Sequence, residues 1–329
     1  MSDRLAVLPQ YLIPKQALTS LAGKFAGARA GGLTTGFIRW FVGRYGVDMA
    51  EAADPDIAAY PTFNEFFTRP LRAGARPLAP ADFIRWFVGR YGVDMAEAAD
   101  PDIAAYPTFN EFFTRPLRAG ARPLAPADFI CPIDGAISQF GAIERDQIFQ
   151  AKGHHYSTAA LVGGDRDLAA RFENGSFATL YLSPRDYHRI HMPCAGRLAR
   201  MVHVPGALFS VNPVTARGVP GLFARNERVV CVFDSAHGPF VLVLVGATIV
   251  GSMATVWHGV VNPPRPGHVR EWNYGDRQPD FRQGDEMGRF LLGSTVVMLF
   301  PQGVIRFNPD WAPARPVRLG EAMGTLPAR

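Results

Sequence analysis

From residue 129 onward the chain is a succession of short apolar runs, and this pattern restricts the fold more than any other feature of the sequence. The runs are rich in β-branched and aromatic residues and are separated by Gly, Pro or Asn. They cover 178–182, 200–204, 228–234, 239–251, 253–261 and 295–300. Short strands with turn residues between them are typical of antiparallel barrels and sandwiches. We therefore predict a β-rich core after residue 129.

The expected fold class is α+β, with an antiparallel barrel-like or sandwich-like core and amphipathic helices near the N-terminus. The chain has 329 residues, of which 48% are hydrophobic, so it is long enough for a large core in one or two domains. A helix is predicted around 158–172. The polar segment 262–285, which is rich in Pro and Gly, is predicted to be a long surface loop.

The stretch 10–48 has helical periodicity with a cationic side. One apolar face contains Leu18, Leu21, Ala22 and Phe25. A second, aromatic face contains Phe37, Trp40, Phe41 and Tyr45. Basic amphipathic helices with Trp and Phe can lie in a lipid interface. The alternative is a helical hairpin that packs on the protein's own core, and the periodicity fits both.

Residues 37–82 recur without a single change as residues 83–128. Two copies are too few for a solenoid, and solenoid repeats diverge at their surface positions. The repeat is therefore a recent tandem duplication or an assembly error. We expect the second copy to pack natively and the first to be an insert. The predicted domains are an N-terminal helical segment, 1–36, the insert, 37–82, and a catalytic domain, 83–329.

The formal net charge of +5 favours an anionic partner, either nucleic acid or an anionic membrane surface. The arginines are dispersed, and the sequence has no zinc-finger spacing or aromatic RNA-binding signature, so no nucleic-acid partner is predicted. Cys131, Cys194 and Cys231 lack metal or redox spacing and are expected to be reduced, buried thiols. The longest apolar run, 240–250, is too short to span a bilayer.

Gly293 and Ser294 interrupt what otherwise resembles one buried strand, 288–300. If the Ser294 hydroxyl reaches the Gly293 carbonyl, it can convert the amide into an ester. β-Elimination then opens the chain, and hydrolysis leaves a pyruvoyl group on the new N-terminus. Glycine at 293 suits this chemistry because it tolerates strained dihedrals. The competing interpretation is a β-bulge or turn.

Asp134, His188 and His191 are the other candidates for catalysis. Imidazole titrates near neutral pH, so His188 and His191 fit an acid and a base, whereas no third ligand at a usual spacing supports a metal site. Asp134 could orient His191 and stabilise its charged form. The structural alternatives are ordinary histidines and a turn aspartate that bonds its own backbone.

Several weaker candidates could line a substrate pocket, or could be ordinary surface residues. They are His154, Phe209, Asn212 and Arg225. Arg225 could hold an anionic head group, although the sequence favours a solvated charged turn.

Nine motifs in order resemble the bacterial phosphatidylserine decarboxylase family over nearly the whole chain. They are Phe109–Leu117, Pro132–Gly135, Gln150–His154, Tyr181–Pro193, Phe209–Asn212, Leu222–Arg228, Val245–Ser252, Glu286–Phe290 and Leu292–Thr295. The family has one copy of the segment that this chain repeats. The duplication therefore affects the expectation of N-terminal membrane attachment more than the catalytic motifs, which all follow it.

The resemblance implies that Asp134, His191 and Ser294 act together in self-cleavage between Gly293 and Ser294. A large chain, 1–293, and a small chain, 294–329, would result, with a covalent pyruvoyl group on the small chain. His188 matches a histidine proposed to assist decarboxylation as a proton donor. No metal is implied.

In this mechanism phosphatidylserine forms a Schiff base with the pyruvoyl group, loses CO2 and leaves as phosphatidylethanolamine. The resemblance also implies peripheral attachment to the cytoplasmic face of the cell membrane, and a homodimer of cleaved protomers. Three alternatives stay open: a pyruvoyl decarboxylase of a soluble amino acid, a serine hydrolase, and a membrane-bound protein whose maturation the duplication has spoiled.

Overall fold

The computed structural model describes residues 3, 7, 32–45, 49, 52, 54–60, 80–247, 252–275, 279–291 and 295–327. Its helices are short apart from the first two. They are α1 (Gly32–Tyr45), α2 (Pro80–Tyr91), α3 (Phe109–Phe113), α4 (Thr158–Leu161), α5 (Arg166–Ala170), α6 (Pro213–Gly218) and α7 (Leu222–Arg225). Two 3₁₀ turns, Ile57–Ala59 and Ile103–Ala105, follow α1 and α2.

The strands begin at residue 129, where the sequence pattern changes. The first nine are β1 (Phe129–Ile130), β2 (Gly135–Ala142), β3 (Gln147–Ala151), β4 (His154–Ser157), β5 (Ser176–Tyr181), β6 (Arg189–His191), β7 (Gly196–Val204), β8 (Arg228–Ser235) and β9 (Gly238–Val245). The others are β10 (Met253–Thr255), β11 (Gly259–Asn262), β12 (Arg270–Asn273), β13 (Asp280–Phe281), β14 (Glu286–Phe290), β15 (Thr295–Phe300), β16 (Arg306–Phe307), β17 (Pro316–Val317) and β18 (Ala322–Thr325).

A nine-stranded sheet with the order β12-β7-β8-β9-β15-β5-β2-β17 forms the centre of the fold, and β13 also pairs with β7. A four-stranded sheet has the order β11-β10-β14-β6. Smaller sheets have the orders β1-β18-β16 and β3-β4. Neighbouring strands in these sheets are antiparallel, which confirms the predicted α+β class with an antiparallel core.

The nine-stranded sheet is covered on both faces, and this explains why β15 is buried along its whole length. Val296 and Met298 belong to one apolar cluster, which the four-stranded sheet completes through Met253 and Phe290. Val297 and Leu299 point into a second cluster, completed by residues of α4, α5, α6 and α7. A strand between two apolar layers needs no polar alternation, and the run 295–300 shows none.

The prediction of a strand at 295–300 is confirmed, whereas three other local predictions were wrong in detail. The helix around 158–172 is split into α4 and α5, because Gly163 and Gly164 adopt φ of 88° and 96°. The run 253–261 is a hairpin, β10–β11, whose turn ends at Gly259 with φ of 75°. The segment 262–285 contains β12 and β13, which pair with β7.

Within the stretch 10–48, α1 confirms a helix over its second, aromatic face, and the first face, 18–25, lies outside the described residues. Among the helices that the structure describes, none has the length and apolar character needed to span a membrane. The three cysteines are free and buried, as expected.

The two copies of the repeat have the same local structure where both are described. In the first copy, Ile38 packs with Tyr60, whose hydroxyl donates to the Asp54 carbonyl at 2.6 Å. In the second copy, Tyr106 donates to the Asp100 carbonyl, also at 2.6 Å. Identical sequences thus form the same helix and 3₁₀ turn in two places.

Candidate functional site

Gly293 and Ser294 lie outside the described residues, but the structure describes the chain on both sides of them. Leu291 donates its backbone N–H to the Ser252 carbonyl at 3.1 Å. Thr295 begins β15 and is fully buried. The chain therefore leaves the four-stranded sheet at the end of β14 and enters the nine-stranded sheet at β15, with the predicted cleavage point between them.

Four neighbouring strands of the nine-stranded sheet, β9, β15, β5 and β2, have one end near this point. Thr295 lies opposite Tyr181 on one side and Val245 on the other, and Ala136 lies opposite Tyr181. Asp134 immediately precedes β2, so it lies at the same end of the sheet as Thr295. Gly135, the first residue of β2, has to be glycine, because a Cβ there would lie 2.2 Å from the Tyr181 carbonyl oxygen.

The Asp134 carboxylate is buried, with 8% of the residue exposed, and its partners differ from both sequence-based interpretations. It accepts a hydrogen bond from Arg122 Nε at 2.9 Å and forms an ion pair with Arg122 Nη2. It also accepts a hydrogen bond from the Leu319 backbone N–H at 2.9 Å. The carboxylate thus bonds neither its own turn nor the His191 ring.

His191 lies in β6, and both nitrogens of its ring have partners. Nδ1 is 2.8 Å from the Gly284 carbonyl oxygen and Nε2 is 3.1 Å from the Tyr187 hydroxyl. A carbonyl can only accept, so the neutral ring carries its proton on Nδ1, and Nε2 accepts from Tyr187. This tautomer leaves the Nε2 lone pair as the basic site.

Burial lowers the pKa of His191, and the hydrogen bond to the Gly284 carbonyl opposes that effect only in part. The charges of Glu286 and Asp134 also favour the protonated ring. Of these charges Asp134 has the smallest effect on the pKa of His191, and the charge of Arg189 acts in the opposite direction. The His191 backbone N–H donates to the Pro132 carbonyl at 2.9 Å, which ties β6 to the segment that carries Asp134.

His188 is fully buried. It lies beside the end of β14, since its backbone carbonyl accepts the Phe290 backbone N–H at 3.0 Å. Its Nδ1 lies 2.7 Å from the Asp186 carbonyl oxygen, and its ring packs on Phe113 at a centroid distance of 4.0 Å. Nε2 is buried and has no hydrogen-bond partner among the described residues. Burial lowers the pKa of His188 to about 3, so the ring is neutral at physiological pH.

The structure therefore places His188 beside the end of β14, next to the crossover, and His191 opposite Glu286 at the start of β14. The backbone bond from His191 to Pro132 ties His191 to the segment that carries Asp134. No direct hydrogen bond joins the Asp134 carboxylate to either ring. Whether all three act on Ser294 stays a prediction, because Ser294 lies outside the described residues.

Of the predicted pocket residues, Phe209 and Arg225 lie together, with the Arg225 guanidinium 5.1 Å from the centre of the Phe209 ring. Asn226 joins this pair to the end of β9, since its amide donates to the carbonyls of Phe209 and Gly246 at 2.8 Å. β9 is the immediate neighbour of β15. This cluster is thus one strand away from the cleavage point.

The other two predicted pocket residues have structural contacts. Asn212 caps the N-terminus of α6, where its side chain accepts from the Thr215 backbone N–H at 2.9 Å. His154 begins β4 and pairs with Ala151 of β3, in the small two-stranded sheet. Their contribution to substrate binding stays a prediction.

Sequence reasoning missed Tyr187, the Gly284 carbonyl and Arg122. Tyr187 stands within the quoted motif Tyr181–Pro193, so its nearness to His191 in the sequence was the available signal. The Gly284 carbonyl reaches His191 only because the turn before β14 folds back on β6. Arg122 gave no signal at all, because an identical arginine, Arg76, occupies the same place in the first copy.

Comparisons with known proteins give matches to one family. The sequence profile of a family described as phosphatidylserine decarboxylase matches residues 109–325, and a second profile, described as PSD, matches residues 5–46. The phosphatidylserine decarboxylase proenzyme of Azoarcus sp. (strain BH72) is 67% identical over 326 residues, which cover 99% of this chain and 97% of that protein. The proenzyme of Dechloromonas aromatica (strain RCB) is 66% identical over 325 residues, which cover 99% of both chains.

Proposed function

The chain belongs to the phosphatidylserine decarboxylase family, and from this premise we propose that it makes its own catalytic group by cutting its backbone between Gly293 and Ser294. The enzyme is a carboxy-lyase that releases CO2 from phosphatidylserine and leaves phosphatidylethanolamine. Its relatives are named proenzymes, which means that they are processed before they act. The crossover between β14 and β15 is the observation that carries the proposal.

The cleavage that we propose needs only groups of this chain and water. Ser294 Oγ loses its proton and attacks the Gly293 carbonyl carbon, and the amide nitrogen leaves, so that an ester replaces the amide. Loss of the Ser294 α-proton then breaks the Cβ–Oγ bond, which frees a carboxylate on Gly293 and leaves dehydroalanine at 294. Water converts that residue into a pyruvoyl group and releases ammonia.

His191 is the base that we assign to the first step. Its Nε2 carries a lone pair in the tautomer that the Gly284 carbonyl selects, and the nearby Asp134 charge favours the imidazolium that proton transfer creates. Tyr187 occupies Nε2 with a long hydrogen bond of 3.1 Å, which has to give way before Ser294 can bond there.

The surroundings of the crossover fit a pyruvoyl group. Among the residues that the structure describes, His188 Nε2 and Thr295 Oγ1 are buried without hydrogen-bond partners, and buried polar atoms in folded proteins are normally paired. A pyruvoyl keto group beside these atoms would supply the electron sink for decarboxylation. We assign to His188 the handling of the substrate proton, because its Nε2 is a buried basic atom on the β14 side.

The small chain, 294–329, is held to the large chain by strand pairing. β15 lies between β5 and β9 in the centre of the large sheet, and β17 and β18 pair with β2 and β1. A cut between Gly293 and Ser294 leaves these ladders intact. The two chains are therefore expected to remain one folded unit after maturation.

We also propose that the enzyme works at the cytoplasmic face of the cell membrane as a peripheral protein. Its substrate is a membrane lipid, and α2 exposes Phe83 and Trp86 beside Arg85. Trp40 of α1 is 56% exposed. Aromatic and cationic side chains on one helix are typical of contact with anionic lipid surfaces. A homodimer of cleaved protomers stays a prediction.

The intact mass of the purified protein under denaturing conditions tests the proposed maturation. We expect two species, residues 1–293 and residues 294–329, and the smaller one should carry the mass of a pyruvoyl group in place of serine. A small chain that begins with serine would show hydrolysis without cofactor formation. A single uncleaved chain that hydrolyses esters would favour a serine hydrolase.

The pH dependence of cleavage tests the assignment of His191. A base has to be unprotonated, and burial holds the pKa of His191 below the ordinary imidazole value of about 6.5. As the pH falls from about 8, the cleavage rate should therefore decrease along an acid limb that is centred below about 6.5. Time courses of small-chain appearance across this range measure it, and an acid limb centred at or above the ordinary value contradicts the assignment.

A further inference from the structure

Asp134 belongs to a chain of charged groups that the sequence did not predict. Arg122 Nη2 pairs with the carboxylate of Asp134 and, at 2.7 Å, with that of Glu97. Glu97 in turn accepts from Arg318 Nη1 at 2.7 Å. The Arg122 side chain is only 7% exposed, so its interactions are largely withdrawn from solvent.

The members of this network come from three parts of the chain. Arg122 and Glu97 belong to the second copy of the repeat, 83–128. Arg318 and Leu319, whose backbone N–H binds Asp134, belong to the predicted small chain. The carboxylate is thus held between the second copy and the C-terminal segment, with the site histidines nearby.

A buried carboxylate is stable as an ion only when donors satisfy it. Arg122 provides two of the donors to Asp134, and guanidinium matches a carboxylate with two parallel bonds. The same contact raises the pKa of Arg122 above its ordinary value, so the guanidinium remains charged. Without Arg122, the Leu319 N–H would be the remaining donor to this carboxylate in the described contacts.

We propose that Arg122 is a positioning residue for self-cleavage, and that the second copy of the repeat, not the first, supplies it. Arg122 holds the Asp134 charge in the place from which it stabilises protonated His191. This inference rests on the proposed maturation and adds to it a residue outside the predicted set. It also assigns different roles to the two copies of the repeat: 83–128 completes the site and 37–82 does not.

Deletion of one copy cannot test which copy completes the site. Because the copies are identical, removal of residues 37–82 and removal of residues 83–128 give the same protein. Single substitutions distinguish the copies, since each arginine can be changed while its twin stays. Arg76→Ala is therefore a control for Arg122→Ala with the same chemistry in the same local sequence.

The experiment follows small-chain appearance in the full-length chain with either substitution. We expect Arg122→Ala to slow cleavage by about 10- to 100-fold, the usual effect of removing a hydrogen bond to a buried charge. Arg76→Ala should cleave at the rate of the unchanged protein. Added guanidinium ion at low millimolar concentration should restore part of the rate in Arg122→Ala alone, an effect that mere destabilisation would not produce.

Arg122→Lys keeps the positive charge with less matched geometry, so an intermediate rate is expected, and this variant serves if Arg122→Ala fails to fold. Three outcomes would each overturn the inference. Arg76→Ala could slow cleavage as much as Arg122→Ala does, or Arg122→Ala could cleave at a normal or faster rate. The third is a normal rate in Arg122→Lys when guanidinium does not rescue Arg122→Ala. If the unchanged protein does not cleave, the proposed maturation itself fails, which is a separate result.

Discussion

The Ser294→Ala chain is expected to remain one uncut polypeptide and to release no measurable CO2 from phosphatidylserine. Alanine has no Oγ, so the Gly293 carbonyl is not attacked and no pyruvoyl group can form. Loss of the whole catalytic group should lower the rate by about 10⁶-fold or more, the scale of enzymatic acceleration. Denaturing intact mass measures the cleavage, and CO2 release from phosphatidylserine in detergent micelles measures the activity.

The fold should survive this substitution, because β15 begins at Thr295 and its pairing with β5 and β9 does not involve the Ser294 side chain. Ser235→Ala is a suitable control. Ser235 lies in the hairpin between β8 and β9, at the end of the sheet remote from Thr295. The control should cleave and decarboxylate normally. A Ser294→Ala chain that still splits between 293 and 294 would refute the mechanism.

The features that depend on local patterning could be predicted from the sequence. The run 295–300 is a strand because its aliphatic residues fill two apolar clusters, and such runs are visible in any sequence. Pro184 and Pro193 disfavour a long helix around the histidines, and His191 lies in β6. Asp134 lies at the same end of the large sheet as Thr295, and His188 lies beside the end of β14.

The partners of those residues could not be predicted, because they come from distant parts of the chain. Asp134 meets Leu319 through the pairing of β2 with β17, and His191 meets the Gly284 carbonyl through the turn before β14. Arg122 is the clearest case. Its local sequence is identical to that of Arg76, so only the contacts of the folded chain show which arginine reaches Asp134.

His188→Asn is expected to leave self-cleavage intact and to lower decarboxylation by about 10²- to 10⁴-fold, the usual contribution of a general acid or base. In the structure, His188 Nδ1 donates to the Asp186 carbonyl, while Nε2 has no partner in the part of the chain that the structure describes. The asparagine amide can still donate to Asp186, but it has no basic nitrogen in place of Nε2. The substitution therefore removes the proton-handling atom and keeps the donor.

The low pKa of His188, about 3, refines its proposed role as a proton donor. Holding Nε2 protonated at pH 7 would cost about 5 kcal/mol, so the resting ring is an acceptor. It can give a proton to the product only after it has taken one up during the reaction. The pH profile of decarboxylation near the ordinary imidazole pKa should consequently have the same shape in the unchanged protein and in His188→Asn.

Measuring the two reactions separately decides between the histidines. Intact mass gives the cleaved fraction of His188→Asn, and CO2 release is then divided by the amount of pyruvoyl-bearing chain. His258→Asn is the control, since His258 is exposed and packs edge-on against Trp272, away from the crossover, and it should change neither reaction. If His188→Asn fails to cleave although it folds, His188 is the base for maturation, and the roles assigned to His188 and His191 have to be exchanged.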